Sequence, residues 1–177
     1  MKIRTFFFSF FALLIFSCGK DKRDLLFEMS LNPLEFTVLA GSNPIDTYYI
    51  LFKDVSTHFE DEARAYGVDT TFVGAVLPGK AFIRSVFGEE YGSLFREIAV
   101  HICPKGDTDF KCGYEAFYWE FPSYNLGSDF DLVPNEPDLK ALLMQERVNV
   151  QLWFRLAETP TESISSRLDL NFNVLKK

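Results

Sequence analysis

Three cysteines, two histidines and a surplus of carboxylates are the groups in this chain with the capacity for chemistry. Cys103 and Cys112 flank the polar stretch Pro104–Lys111, which holds Gly106, Asp107 and Asp109. Placed at the end of one strand and the start of the next, two such cysteines can come within disulfide range. In an oxidising compartment a bridge between them is the natural outcome. Closing a loop of this length is worth roughly 2.7 kcal/mol in the chain-entropy treatment. Free thiols and a metal site are the alternatives, the latter with His101, Cys103, Cys112 and Asp107 as donors. The tight C-x-x-C spacing of common zinc sites is absent.

Nucleophilic catalysis lacks its parts. His58 and His101 are the only histidines, and no Gly-x-Ser-x-Gly elbow occurs. Cys103 and His101 lie two apart, which on a strand displays them in parallel. His58 falls at the expected start of a helix, where a histidine is ordinarily solvated. The acids Glu60-Asp61-Glu62, Glu89-Glu90, Asp129 and Asp131, and Glu136 and Asp138 offer pairs of the kind that hydrolyse glycosidic bonds. An acidic domain must also carry such charges simply on its loops. Asp107-x-Asp109 and Asp129-x-Asp131 are too sparse for a calcium loop. The reading is a non-enzyme without cofactor, and a carbohydrate-active hydrolase is the alternative.

The aromatic run Tyr114-Glu115-Ala116-Phe117-Tyr118-Trp119-Glu120-Phe121, followed by Tyr124, points to binding. Strand alternation puts Phe117, Trp119 and Phe121 on one face and Tyr114, Tyr118 and Glu120 on the other. One face belongs to a core. The second would present tyrosines beside a carboxylate, a platform for a sugar or a peptide, with Trp153 a further candidate.

Alternating apolar and polar residues dominate the elements that must carry these groups. Val148, Val150, Leu152, Phe154 and Leu156 share a face in 147–157, and Ile164, Leu168, Leu170, Phe172 and Val174 do so in 163–175. The polar turn Glu158-Thr159-Pro160-Thr161-Glu162 between them predicts an antiparallel hairpin. Further strands are expected at 25–31, 34–40, 46–55, 80–87, 95–103, 114–121 and 128–133. Two short helices interrupt them. One opens on the capping box Thr57-His58-Phe59-Glu60 and closes at Gly67. The other covers 137–145, with Pro137 in its first turn and Leu139, Leu142 and Leu143 facing inward. The expected fold is an all-β antiparallel sandwich, immunoglobulin-like or related, with two short inserted helices.

The first residues set destination. Lys2 and Arg4 precede the apolar run Phe6–Phe16, then come Ser17, Cys18, Gly19 and Lys20-Asp21-Lys22-Arg23-Asp24. The apolar core is about a dozen residues, short of the roughly 20 that span a bilayer, and its order is that of a secretory signal. The division is therefore 1–17 signal, 18–25 tether and 26–177 a single domain. Without Lys2 and Arg4 the 18 basic residues fall to 16 against 25 acidic ones, a formal −9. No Lys/Arg cluster offsets this, so nucleic acid is excluded as a partner.

Ser17-Cys18 closing an apolar run resembles the lipobox of bacterial lipoproteins, although Ile15 and Phe16 stand where that family usually has Leu and a small residue. The resemblance implies that the Cys18 thiol is acylated, that cleavage occurs before it, and that the domain is membrane-bound through its acyl chains. Gly19 and the Lys/Asp-rich tether look most like lipoproteins of Bacteroidota-type bacteria. Lys20-Asp21 matches the start of a surface-export pattern there, which Lys22 then leaves. The lack of Asp after Cys18 points away from inner-membrane retention, and so to an outer-membrane lipoprotein on the periplasmic face or the cell surface. Gly41-Ser42-Asn43-Pro44 leading into Thr47-Tyr48-Tyr49 is similar to small envelope lipoproteins of that group, which have no established activity to carry over. The expectation is a structural or binding component of the envelope, with an envelope protein or a glycan as partner.

Overall fold

The computed structural model describes residues 23–120 and 126–177. Cys18 with its surroundings, Phe121 and Tyr124 lie outside them. The strands are β1 Leu25–Ser30, β2 Leu34–Val38, β3 Thr47–Ser56, β4 Val73–Ser85, β5 Phe95–Cys103, β6 Tyr114–Glu120, β7 Asp129–Pro134, β8 Arg147–Leu156 and β9 Ile164–Lys176. Two short helices, α1 Phe59–Ala65 and α2 Lys140–Leu143, interrupt them. β1 opens at Leu25, inside the span expected to be tether.

All pairings are antiparallel, and they run as one curled hydrogen-bonded path, β1-β9-β4-β7-β6-β5-β8-β3, with β2 also paired to β9. β7 is the hinge of this path. It pairs with β4 from Ala81↔Leu132 to Arg84↔Asp129, but among the described residues meets β6 only at Phe117↔Pro134 and Tyr118↔Val133. The curl brings the apolar faces of the two halves together. Phe117 on β6 meets Phe172 on β9 with ring centroids 5.6 Å apart, and Phe36 on β2 meets Phe154 on β8 at 6.3 Å. Phe95 adds an edge-to-face contact with Phe154 at 5.6 Å. These rings belong to one buried cluster with Val148, Val150, Leu152, Leu168, Leu170 and Val174. The alternating positions therefore do line the core. The high phenylalanine content, 20 residues, partly serves this contact between halves.

The expected β8–β9 hairpin is not formed. β8 pairs with β3 and β5, whereas β9 pairs with β1, β2 and β4. Both strands need their apolar faces in the same core, and placing them in opposite halves satisfies that as well as pairing would. Residues 158–162 form a crossover, anchored where the Gly41 N–H donates to the Pro160 carbonyl at 2.8 Å. β4 also begins earlier than the alternation predicts. Gly74, Pro78 and Gly79 look like strand breakers but mark bulges opposite β9, between Val73 and Ala75 and between Pro78 and Ala81. A Cβ at Gly74 would sit 2.6 Å from the Lys176 carbonyl oxygen, so glycine is required by close approach.

The Thr57–Glu60 capping box is replaced by a tertiary bond. His58, in the left-handed region at φ 52, is the N-cap and makes no side-chain cap. The Thr57 hydroxyl donates instead to the Gln145 carbonyl, tying α1 to the segment after α2. Phe59 and Ala63 are buried, and Gly67 at φ 66 ends the run. α2 starts after Pro137, where Asp138 accepts from the N–H groups of Lys140 and Val76. Leu139, Leu142 and Leu143 are buried as the spacing predicts.

Tyr91, buried in the loop after β4, donates to Ser166 Oγ at 2.8 Å. Burial pushes its phenol up to about 12, against the opposing effect of that bond. The folded state therefore keeps a proton that the unfolded chain loses near the ordinary tyrosine value of about 10. This contribution is complete below pH 10 and is lost as pH rises through 12. The melting temperature is expected to fall across that window, with a shallower fall in Tyr91→Phe.

Candidate functional site

The strands β3, β8, β5 and β6 present a second, outward face built by the other half of each alternation. Val150, Leu152 and Phe154 enter the core, so Asn149, Gln151, Trp153 and Arg155 point away from it. Register aligns this outer set into rows. Tyr49 pairs with Trp153, Trp153 with Ala99, Ala99 with Tyr118, and Tyr118 with Val133 on β7. The next row in one direction is Leu51, Gln151, His101 and Glu115. In the other direction Thr47, Arg155, Glu97 and Glu120 align, and Arg155 pairs with Glu97 at 2.8 Å.

The loop between β5 and β6 folds back over part of this face. Cys103 and Cys112 are bridged, with Cα atoms 5.4 Å apart, so neither thiol remains as a metal ligand. Gln151, Asn149 and His101 are buried beneath the loop, where unpaired polar groups would be costly. The loop backbone supplies most of their partners, and β3 one more. Gln151 donates to the Asp109 carbonyl at 3.0 Å and accepts from the Lys111 N–H at 2.8 Å. Asn149 donates to the Asp107 carbonyl at 2.8 Å and accepts from the Asp54 N–H at 3.0 Å. His101 Nδ1 lies 3.2 Å from the Cys112 carbonyl oxygen, and its Nε2 is 3.6 Å from Glu115 Oε2. Burial lowers the His101 imidazole below its ordinary range, against the pull of Glu115. That direction befits a packed residue beneath a loop.

The pinned loop delivers an aromatic cluster. Lys111 Nζ sits 4.8 Å from the Trp153 ring and 5.7 Å from the Phe110 ring, a cation–π arrangement. Phe110 meets Tyr49 edge-to-face at 6.2 Å. Tyr49 is 48% exposed and Phe110 56%, whereas Trp153, under Lys111, is only 8% exposed. Tyr118 is half-buried and Val133 exposed at the other end of the row. Trp153 Nε1 is buried with no acceptor among the described residues.

The sequence-derived candidates are thus partly gathered. Trp153 and Tyr118 share the row, but Trp153 is covered, not displayed. Tyr114 is exposed but elsewhere, because a bulge between Val100 and His101 changes the phase of β6. Tyr114 pairs with core-facing Ile102, while Tyr118 pairs with outward-facing Ala99. Tyr49, Phe110 and Lys111 escaped notice because they meet Trp153 only through non-local pairing and the folded loop. The cysteine pair was the one local hint that residues 104–111 are held in place.

A second concavity, about 460 Å³, lies between Ser56–Asp61 and Met144–Glu146. Its carboxylates, Glu60, Asp61 and Glu146, are all exposed, so nothing desolvates one of them into a general acid. Asp107 accepts from the Asp109 N–H at 3.0 Å within its own turn. Among the described residues no group of three or more His, Cys, Asp or Glu side chains is arranged to hold a metal ion, and no helix is long and apolar enough to cross a membrane. No family model, curated protein or solved structure matches the chain.

Proposed function

We propose that this protein is a lipid-anchored envelope component that binds a glycan or an envelope protein through the outer face of the β3-β8-β5-β6 half. The observation that carries the reading is the cluster of Tyr49, Phe110 and Lys111 over Trp153, continued along one row to Tyr118 and Val133. Exposed aromatic rings beside fixed charge give stacking and hydrogen-bonding contacts at low entropic cost, since the disulfide loop is already ordered. The binding reading is preferred to a glycan hydrolase, because the carboxylates that line the concavity, Glu60, Asp61 and Glu146, are exposed. The facing apolar halves of the one curled sheet, joined at β7, support a sandwich-like reading of the fold.

Titration with chitohexaose, cellohexaose and muropeptides, followed by indole emission, tests the face. At least one titrant or a co-purifying envelope protein is expected to shift the emission, and Tyr49→Ala with Phe110→Ala is expected to weaken it about tenfold or more, the loss of roughly 1.4 kcal/mol. Retention of full binding by that double variant sinks the assignment.

Anchoring rests on Ser17-Cys18 and the apolar run before it. Two acyl chains make attachment stable where one does not. Cys18→Ala is expected to move the protein from the membrane to the soluble fraction or to stop its maturation. Unchanged fractionation would overturn the anchor.

A further inference from the structure

The end of the sheet where the tether joins the domain carries an unexplained apolar surface. Tyr66 is 61% exposed, Phe72 57% and Leu25 53%, three large apolar residues at one end of a small domain. Tyr66 stacks on Phe27 of β1 with ring centroids 5.2 Å apart, so its ring is fixed in an outward position. Phe72 closes the short 3-10 turn Thr70–Phe72, whose first N–H groups are held by Asp69 accepting from Thr71 at 2.8 Å. Leu26, Gly67, Val68, Asp69, Phe72 and Lys176 line an open depression of about 310 Å³. The backbone locates the tether at the same place. The Lys176 N–H donates to the Asp24 carbonyl at 2.9 Å, and the Lys177 N–H to the Phe72 carbonyl at 3.0 Å. Asp24, Phe72 and two lysines therefore meet at one corner.

Chain length says what covers this corner. Cys18 stands seven residues before Leu25, a reach of about 25 Å at full extension. A globule of this size is roughly 40 Å across. A tether shorter than the domain's diameter cannot let that corner point away from the surface that holds Cys18, and draws it to the near side of the domain. We propose that this corner is a membrane-contact surface, in which Leu25, Tyr66 and Phe72 enter the headgroup region of the anchoring bilayer while Lys176 and Lys177 meet anionic headgroups. This rests on the anchoring of Cys18. Rings with a polar tip and lysines with apolar stems suit that boundary, and Asp69, the one carboxylate lining the depression, is engaged by its own turn. The contact would orient the domain, holding the distant aromatic face at a set angle to the membrane instead of leaving it free on a leash.

The test is the full-length protein carrying Phe72→Trp, matured in an exporting host and placed in vesicles of phosphatidylcholine and phosphatidylglycerol with or without bromine on their acyl chains. Taken as the difference from the unsubstituted protein, whose Trp119 and Trp153 also emit, the added indole is expected to shift to the blue and to lose roughly half its emission in brominated vesicles, as befits burial at the headgroup–acyl boundary. Lys176→Glu with Lys177→Glu is expected to lessen that quenching. Intact mass, measured on the same sample, shows whether Cys18 bears acyl chains. Acylated protein whose added indole stays unquenched overturns the contact while the anchor stands. A blue shift without quenching does so as well, because the corner is then covered by protein, either a second copy or the chain's own apolar segment. Quenching without acyl chains upholds the contact and removes the anchor. No quenching and no acyl chains overturn both.

Discussion

Phe117→Ala is expected to destabilise the fold by about 3–5 kcal/mol, the range for truncating a large buried aromatic side chain. Phe117 is fully buried on β6, and three structural duties meet there. Its backbone forms one of the two pairs that join β6 to β7 among the described residues, opposite Pro134. The preceding Ala116 carbonyl accepts from the Asn135 N–H at 2.8 Å, securing the chain as it leaves β7. Its ring meets Phe172 of β9, in the opposite half, at 5.6 Å and an interplanar angle of 60°. Among the described residues the join through β7 is narrow, so side-chain contact adds to strand pairing in holding the halves together at this point. Removing the ring opens a cavity between two sheet faces that cannot easily collapse, since each is stiffened by its own hydrogen bonds. Urea unfolding followed by circular dichroism measures the loss. Phe172→Ala, also fully buried, is expected to lie in the same range, and the double variant to fall short of the sum by about 0.5–1.5 kcal/mol, the value of an aromatic pair beyond its area. Additive effects would mean that the halves are held together elsewhere.

Phe117 also shows where sequence reading succeeds and where it stops. Alternation assigned Phe117 and Phe172 to inward faces because side-chain period is a local property of a strand. Nothing local states which strand a face will meet. The turn at 158–162 has hairpin chemistry, yet β8 and β9 part there and join opposite halves. Pairing is decided by the total burial each arrangement achieves, a quantity spread over all nine strands. Bulges were equally hidden. Gly74, Pro78 and Gly79 interrupt a pattern in the sequence but not the strand, and the bulge on β6 turned Tyr114 away from Tyr118. The candidate site depends on such features twice, through the register that sets Tyr49 beside Trp153 and through a loop whose bonds go to Asn149 and Gln151. Their polar side chains carry no local sign that a loop covers them. The Cys103–Cys112 pair was legible because its spacing is a property of the chain itself.

That loop supplies the second large effect. Gly113→Ala is expected to detach it. Gly113 has φ 61, and a Cβ added there would lie inside the van der Waals envelope of the Ile102 carbonyl oxygen and 2.8 Å from Cys103 Cα. These are backbone atoms of β5, adjacent to the disulfide, and no side-chain rotation relieves the overlap. The left-handed conformation alone costs a non-glycine residue about 1–2 kcal/mol, and the overlap must add to it. Gly106, in the same loop at φ 84, has open space where its Cβ would be. Gly106→Ala is therefore the control that carries the conformational cost without the overlap. The expected losses are about 1 kcal/mol for Gly106→Ala and at least about 2–3 kcal/mol for Gly113→Ala. A structural signature should separate them further. When residues 104–113 lift, the Lys111 amide loses its bond to Gln151 and the Trp153 indole loses its cover. Gly113→Ala should thus show rapid exchange of the Lys111 amide and a red-shifted, more quenchable indole emission, both absent in Gly106→Ala. Weakened binding at the aromatic face should accompany these changes, because Phe110 and Lys111 reach that face only while the loop lies on it. Equal stability and equal emission in the two variants would show that the loop is not held to the sheet through Gly113.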